Sequence, residues 1–438
     1  MSMFDLPRPF ILTCLFILGS CFGSFLNVCI HRFPSRVRLW DQLKSLNSHG
    51  SGCPRCSSAI LWHDNLPLLG WLLLLRGRCR QCRQPISVRY PLIELLTAAL
   101  FVLVYWQEMP LESSWKSSQS IETSGLYDVM GPQTITGLWD VPVWLHLRYA
   151  LHMAMICGLI VATFIDFDLR IIPDGCTVPV MILALVSAAA AGQLYLVPLW
   201  FQDYSVAQVL RPSFPGWLQP LLFPGSSVEF AAANPRLHAI LVSLAGLIVG
   251  GGIVWTVRLV GYWVLRQEAM GFGDVVLMAM VGSVIGWQPV VIVFFVAPLL
   301  AVASALFSWL ARRDREIPYG PWLSLGTVLL LLSWRHSWPV AKRVFDMGPL
   351  LICVGLFLLA ALILSLQLVQ LIKRLMGIPL HDTGQPATDC WTSADHLTFF
   401  NGERPDEQTC QWPRPLWPGC RSGRGLGNGY QWRQGRPD

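Results

Sequence analysis

The feature that most constrains this chain is the recurrence of long apolar runs. About nine of them lie at 10–30, 90–106, 149–165, 177–199, 237–262, 274–288, 289–311, 321–334 and 349–372, each near the roughly 20 residues an α-helix needs to cross a bilayer core. Lipid offers a backbone no hydrogen-bonding partner, so such runs must satisfy their own N–H and C=O groups, which helices do. With 53% hydrophobic and only 13% charged residues, the chain lies outside the range of soluble domains. The expected fold is an all-α polytopic membrane protein of eight or nine transmembrane helices, the runs at 90–106 and 321–334 being short. The first run begins at Phe10 with no small-residue cleavage site behind it and is expected to be a retained span rather than a signal peptide. A net charge of +6 is too diffuse to point to nucleic acid, and 20 tryptophans suit the aromatic belts at lipid headgroups.

Lysine and arginine set the expected orientation. Between the first two runs lie Arg32, Arg36, Arg38, Lys44, Arg55, Arg76, Arg78, Arg80, Arg83 and Arg89, whereas 107–147 holds only Lys116. The first segment is therefore expected in the cytoplasm and the second outside. Arg312, Arg313, Arg315, Lys373 and Arg374 fall on the cytoplasmic side when the spans alternate. The expected division is a first helix (1–30), a cytoplasmic loop domain (31–92), a membrane core (93–333), an additional C-terminal span (334–377) and a polar tail (378–438). That tail is rich in Gly, Pro and Arg and is expected to be disordered. A second long external loop, 200–236, is rich in Pro and aromatics.

The cytoplasmic loop carries Cys53-Pro-Arg-Cys56 and Cys79-Arg-Gln-Cys82, with 22 residues (57–78) between the pairs. Two such knuckles can converge on one tetrahedral ion, four thiolates closing a zinc shell. Two disulfides are the alternative, which a reducing cytoplasm disfavours. A closed tetracysteine shell leaves no position for substrate, so Zn2+ would be structural.

Acids inside apolar runs are functional candidates by default. "FIDFDLRIIPD" brings Asp166, Asp168 and Asp174 to the end of the third run; Asp166 is the deepest, and Asp168 and Asp174 read as capping or interfacial acids. "GFGD" puts Asp274 at the mouth of another run, where Gly271 and Gly273 leave clearance for a backbone or an extended peptide. Two intramembrane carboxylates meeting in a poorly solvated pocket would share a proton. One could then activate a water as the other polarises a peptide carbonyl.

Taken in order, "GSFLNVCIHRFP" (23–34), the two cysteine knuckles, "LRGRCRQCRQPISVRYPLIELLTA" (75–98), "IDFDLRIIPD" (165–174) and "GFGD" (271–274) resemble the bacterial type IV prepilin peptidases, GxGD-type intramembrane aspartic proteases; "IPYGPWLSLG" (317–326) is a weaker echo. The resemblance implies cleavage of a basic leader from prepilins or pseudopilins at the cytoplasmic face of the bacterial inner membrane. It makes Asp166 and Asp274 the catalytic pair. It further implies N-methylation of the new terminus with S-adenosylmethionine, for which Gly77 and Arg78 would be the cofactor-binding pair. Arg78 stands where Lys is common, keeping the charge but not its geometry. Two other readings stay open on the sequence: an ion- or proton-coupled transporter using the same acids, and an inactive pilin-binding relative.

Overall fold

The computed structural model describes residues 7–376 apart from 37, 48–51, 54–55, 57, 62, 110–140, 193, 201–207, 210, 220–226, 266–269, 311–317 and 349. The expected tail and most of the first external loop lie outside the described residues. The chain forms α1 (Arg8–Arg32), α2 (Leu39–Ser45), α3 (Arg89–Glu108), α4 (Val141–Leu169), α5 (Asp174–Ala191), α6 (Ser227–Ala233), α7 (Pro235–Leu265), α8 (Phe272–Ile285), α9 (Trp287–Leu310), α10 (Gly320–Phe345) and α11 (Leu350–Leu375). Seven of these are long and apolar enough to cross a membrane: α1, α3, α4, α5, α7, α9 and α11. Among the described residues there is no strand, only isolated bridges Gly52–Ala59 and Arg78–Pro85 within the cysteine-bearing segment.

The helix ends differ from the apolar runs for physical reasons. Helix α4 starts well before the expected 149 because Arg148 is buried rather than excluded, as is His152 within the run. His152 Nδ1 lies 2.6 Å from Glu108 Oε1, and the Arg148 guanidinium stacks 4.6 Å from the Trp144 ring centroid. Helix α5 stops at Ala191, short of the expected 199, where Gly192 takes φ +79. Helix α10 continues to Phe345, beyond the run ending at 334 and across the expected boundary at 333, since Trp334, Trp338 and Phe345 stack and are buried.

Helix α8 is the centre of the bundle. Its 14 residues rise roughly 21 Å at 1.5 Å each, short of a full bilayer core, and a helix apolar on all sides belongs inside a protein. Leu277, Met278, Met280, Val281 and Ile285 are fully buried. Glycines let α7 and α8 touch backbone to backbone: a Cβ on Gly246 would lie 1.9 Å from the Gly282 carbonyl oxygen, and one on Gly282 would lie 2.0 Å from that of Gly246. Such small-residue contacts are how helices associate where no hydrophobic effect drives them. At the other extreme, no residue of α11 is buried, and its Gln370 side chain donates to the Val264 carbonyl of α7.

One end of the bundle gathers the polar motifs. Helix α4 ends at Leu169, Arg170 takes φ +57, and Pro173, which has no N–H to donate, starts α5 from an extended conformation. Helix α2 docks here as Gln42 Oε1 accepts the Gly175 N–H at 2.6 Å. The cysteine-bearing segment is fastened to the α1/α3 pair at the same end. The Leu68 N–H of that segment donates to Glu94 Oε2 of α3 at 2.7 Å, and α1 is tied to α3 as Asn27 Nδ2 donates to the Tyr90 carbonyl at 3.1 Å.

Candidate active site

Asp166 occupies the last turn of α4 and Asp274 the first turn of α8, whose N-cap is Gly271. Their residues are 6% and 7% exposed, so both carboxyls are withdrawn from solvent at the same end of the bundle. They lie within electrostatic reach of each other. Burying two carboxyls within electrostatic reach of each other disfavours ionising both.

A third segment completes the surroundings. The Gly320 N–H, at the start of α10, donates to the Asp166 carboxylate. Its neighbour Tyr319 lies within electrostatic reach of Asp274; burial and then that charge push the phenol well above its ordinary range, so it stays a neutral O–H. Ile172 fits between the motif glycines. A Cβ on Gly273 would meet the Ile172 Cβ at 3.0 Å, and one on Gly320 would meet Ile172 Cδ1 at 3.2 Å. The space beside Gly273 is thus filled by this protein's own isoleucine rather than held open for a peptide, which corrects the expectation drawn from "GFGD". Both glycines exist to let α8 and α10 close on the α4–α5 turn.

The other two acids take different positions. Asp168 is partly exposed and pairs with Arg89, whose guanidinium also donates to the Phe164 carbonyl at 2.9 Å and stacks on the Phe164 ring. It is a partly exposed acid at the end of α4 that also ties this helix to α3. Asp174 opens α5 in its first turn but makes no side-chain capping bond at the Pro173 N-cap. Arg89, Tyr319 and Gly320 went unrecognised in the sequence. The signal for the last two was the weak "IPYGP" echo, of which Ile317 lies outside the described residues; Arg89 was marked by its positive charge and by its place in the motif at 75–98.

The four knuckle cysteines converge. All four Sγ atoms lie within 4.8 Å of one another, Cys53–Cys82 at 3.8 Å and Cys56–Cys79 at 3.9 Å, and no described cysteine is in a disulfide. A tetrahedron with metal–sulfur bonds of about 2.3 Å has edges of about 3.8 Å, so the cluster can hold a metal ion. The Ser58 hydroxyl, 3.0 Å from Cys56 Sγ, draws that thiol down to about 6, toward the thiolate a metal requires. Beside the cluster Arg80 grips Asp64 through two bonds, at 2.6 and 2.9 Å, and holds its carboxyl below the usual range.

Gly77 and Arg78 stand apart from the buried acids. Gly77 takes φ +72 with its carbonyl accepting the Ile86 N–H, and Arg78 pairs with Pro85 in a short antiparallel bridge. Gly77 backs onto Trp71, whose ring a Cβ there would meet at 3.1 Å.

The chain matches two family descriptions, "Bacterial Peptidase A24 N-terminal domain" over residues 17–108 and "Type IV leader peptidase family" over 219–307. It is 30% identical to a prepilin leader peptidase/N-methyltransferase of Aeromonas salmonicida, over 74% of this chain and 90% of that one. It is 31% identical to a protein of the same name from Klebsiella pneumoniae, over 63% of this chain and 85% of the other. A type 4 prepilin-like proteins leader peptide-processing enzyme of Escherichia coli is 30% identical, over 71% and 89%. No solved structure matches. Extended over nearly the whole of its relatives, this similarity makes the chain a multi-pass membrane protein of the bacterial type IV leader peptidase family.

Proposed function

We propose that this protein is an aspartic endopeptidase of the bacterial cytoplasmic membrane that removes basic leaders from prepilins or pseudopilins at the cytoplasmic face. The observation that carries the reading is the burial of Asp166 and Asp274 together at one end of the bundle, the end that also bears the arginine-rich segment. In this mechanism the dyad holds one proton. The ionised carboxylate takes a proton from a water as the water oxygen adds to the scissile carbonyl, and the protonated carboxyl donates to the carbonyl oxygen. Collapse of the tetrahedral adduct breaks the C–N bond, and the dyad returns a proton to the leaving amine. The Gly320 N–H fixes the orientation of Asp166 throughout, and Tyr319 offers a neutral donor beside Asp274.

The tetracysteine cluster suits Zn2+ in a structural role, since four thiolates fill a tetrahedral shell and leave no site for substrate. The relatives' names also support a second activity, N-methylation of the amine that cleavage exposes, with S-adenosylmethionine as donor. Co-expression with a prepilin bearing a basic leader tests both halves, reading the pilin N-terminus by intact mass. The expected product lacks the leader and carries one methyl group. An unprocessed pilin would overturn the peptidase reading, and a processed but unmethylated one the second activity.

A further inference from the structure

The first turn of α5 is capped by a residue from a distant segment. A helix start leaves its first N–H groups without intrahelical partners, and a side-chain oxygen at the N-cap ordinarily accepts one of them. The N-cap of α5 is Pro173, which carries no such oxygen, and no side-chain capping bond forms there. The Gly175 N–H donates instead to Gln42 Oε1 at 2.6 Å, from a residue 133 positions earlier in the chain.

Gln42 is buried, and its amide is held at both ends, since Nε2 donates to the Arg36 carbonyl at 2.8 Å. The helix that bears it is anchored in turn. The guanidinium of Arg32, the last residue of α1, donates to the Ser45 and Leu46 carbonyls at 2.8 and 3.0 Å, at the far end of α2. Position 175 admits this contact because it is glycine: a Cβ there would lie 2.6 Å from Gln42 Oε1 and 3.2 Å from Phe33 Cε2.

We infer that Gln42 is a positioning residue for leader cleavage, acting on Asp166 and Asp274 through the α4–α5 turn. The inference rests on the peptidase half of the proposed function and adds a residue to it.

The route from Gln42 to the acids is short. Going back from Gly175, the chain passes Pro173 and Ile172 to Arg170, whose N–H donates to the Asp166 carbonyl at 2.9 Å. Ile172 is the side chain on which α8 and α10 close, as its contacts beside Gly273 and Gly320 show. Gly273 directly precedes Asp274, and the Gly320 N–H donates to the Asp166 carboxylate. The place of Ile172 therefore sets the spacing of both acids. Between it and Gly175 stands Pro173, whose ring fixes one backbone torsion, so a displacement at Gly175 is passed on to Ile172 rather than absorbed. Gln42 supplies the fixed point from which the turn hangs.

The test is steady-state cleavage of a purified prepilin by the full chain in lipid nanodiscs, with Gln42→Met, Gly175→Ala and the two combined. Gln42→Met keeps the volume and removes the acceptor. Gly175→Ala pushes the same acceptor away from the other side, so that failure of one variant to fold leaves the other to decide. Each single variant should lower kcat by about tenfold with KM unchanged, part of the roughly 100-fold that a displacement of about 1 Å can cost. The double variant should fall no further, because both substitutions act on one bond. Hydrogen exchange should rise in peptides covering 170–178 and stay unchanged in α8. Ser45→Ala is the control: it removes a different bond of α2, from Ser45 Oγ to the Gln42 carbonyl, and should keep wild-type kcat. Wild-type kcat in folded Gln42→Met or Gly175→Ala, a loss confined to KM, or an equal loss in Ser45→Ala would overturn the assignment. Absence of cleavage by the wild-type chain would overturn the peptidase reading instead.

Discussion

A methyl group built on Gly320 would stand 2.6 Å from Asp166 Oδ2, closer than a carbon and an oxygen can approach without one of them moving. Helix α10 can therefore deliver its first N–H to the Asp166 carboxylate only if that residue has no side chain. Gly320→Ala is expected to leave the helix intact, since alanine is the better helix former. The carboxylate must shift instead, and a displacement of about 1 Å at a reacting group can cost on the order of 100-fold in rate. Leader cleavage measured on purified protein should fall by about that factor with no loss of thermal stability. Wild-type turnover in this variant would remove Gly320 from the account.

Asp168 offers the contrast, two residues from Asp166 and yet partly exposed, with Arg89 as its partner. Exposed ion pairs contribute only about 0–1 kcal/mol. Asp168→Asn should keep cleavage within about threefold of wild type and shift stability by no more than that. A loss of activity matching that of an Asp166 substitution would assign Asp168 to the chemistry.

The α7/α8 crossing is expected to be among the least tolerant places in the bundle. Gly246→Val or Gly282→Val would drive a side chain into the facing carbonyl, and overpacking on that scale should exceed about 4 kcal/mol, beyond most single substitutions. Thermal unfolding in nanodiscs checks this. Gly252→Ala, where an added Cβ meets nothing within 4 Å, should be neutral or slightly stabilising, by up to about 1 kcal/mol.

Elemental analysis of the purified protein should find one zinc per chain, lost on replacing Cys53 or Cys79 with Ser. The segment between α1 and α3 should then become sensitive to protease. Full metal occupancy in both variants would exclude the tetracysteine shell.

Much of this arrangement was legible because it follows from composition and spacing. Apolar runs of bilayer length announce helices, two CxxC pairs announce a metal cluster, and Asp166 and Asp274 stand out because carboxylates are rare in such runs. What could not be read depended on contacts between distant segments. The start of α4 was hidden because Arg148 looks like a reason to end a span until Trp144 supplies its partner. The meaning of Gly273 changed for the same reason: its neighbour Ile172 is about a hundred residues away in the chain, so the glycine resembled open clearance until the fold filled it. Tyr319 was marked in the sequence by the weak "IPYGP" echo alone, and the return of α10 to Asp274 gives it its significance.

The central claim is that Asp166 and Asp274 act together as one proton-sharing pair. Its most direct measurement is single-turnover cleavage of a purified prepilin by Asp166→Asn, Asp274→Asn and the double variant in nanodiscs, read by intact mass. The account predicts that each single substitution lowers the rate as far as the double one does, with metal content and folding unchanged, because residues that act as a unit are lost as a unit. Cleavage at near wild-type rate by either single variant would contradict it.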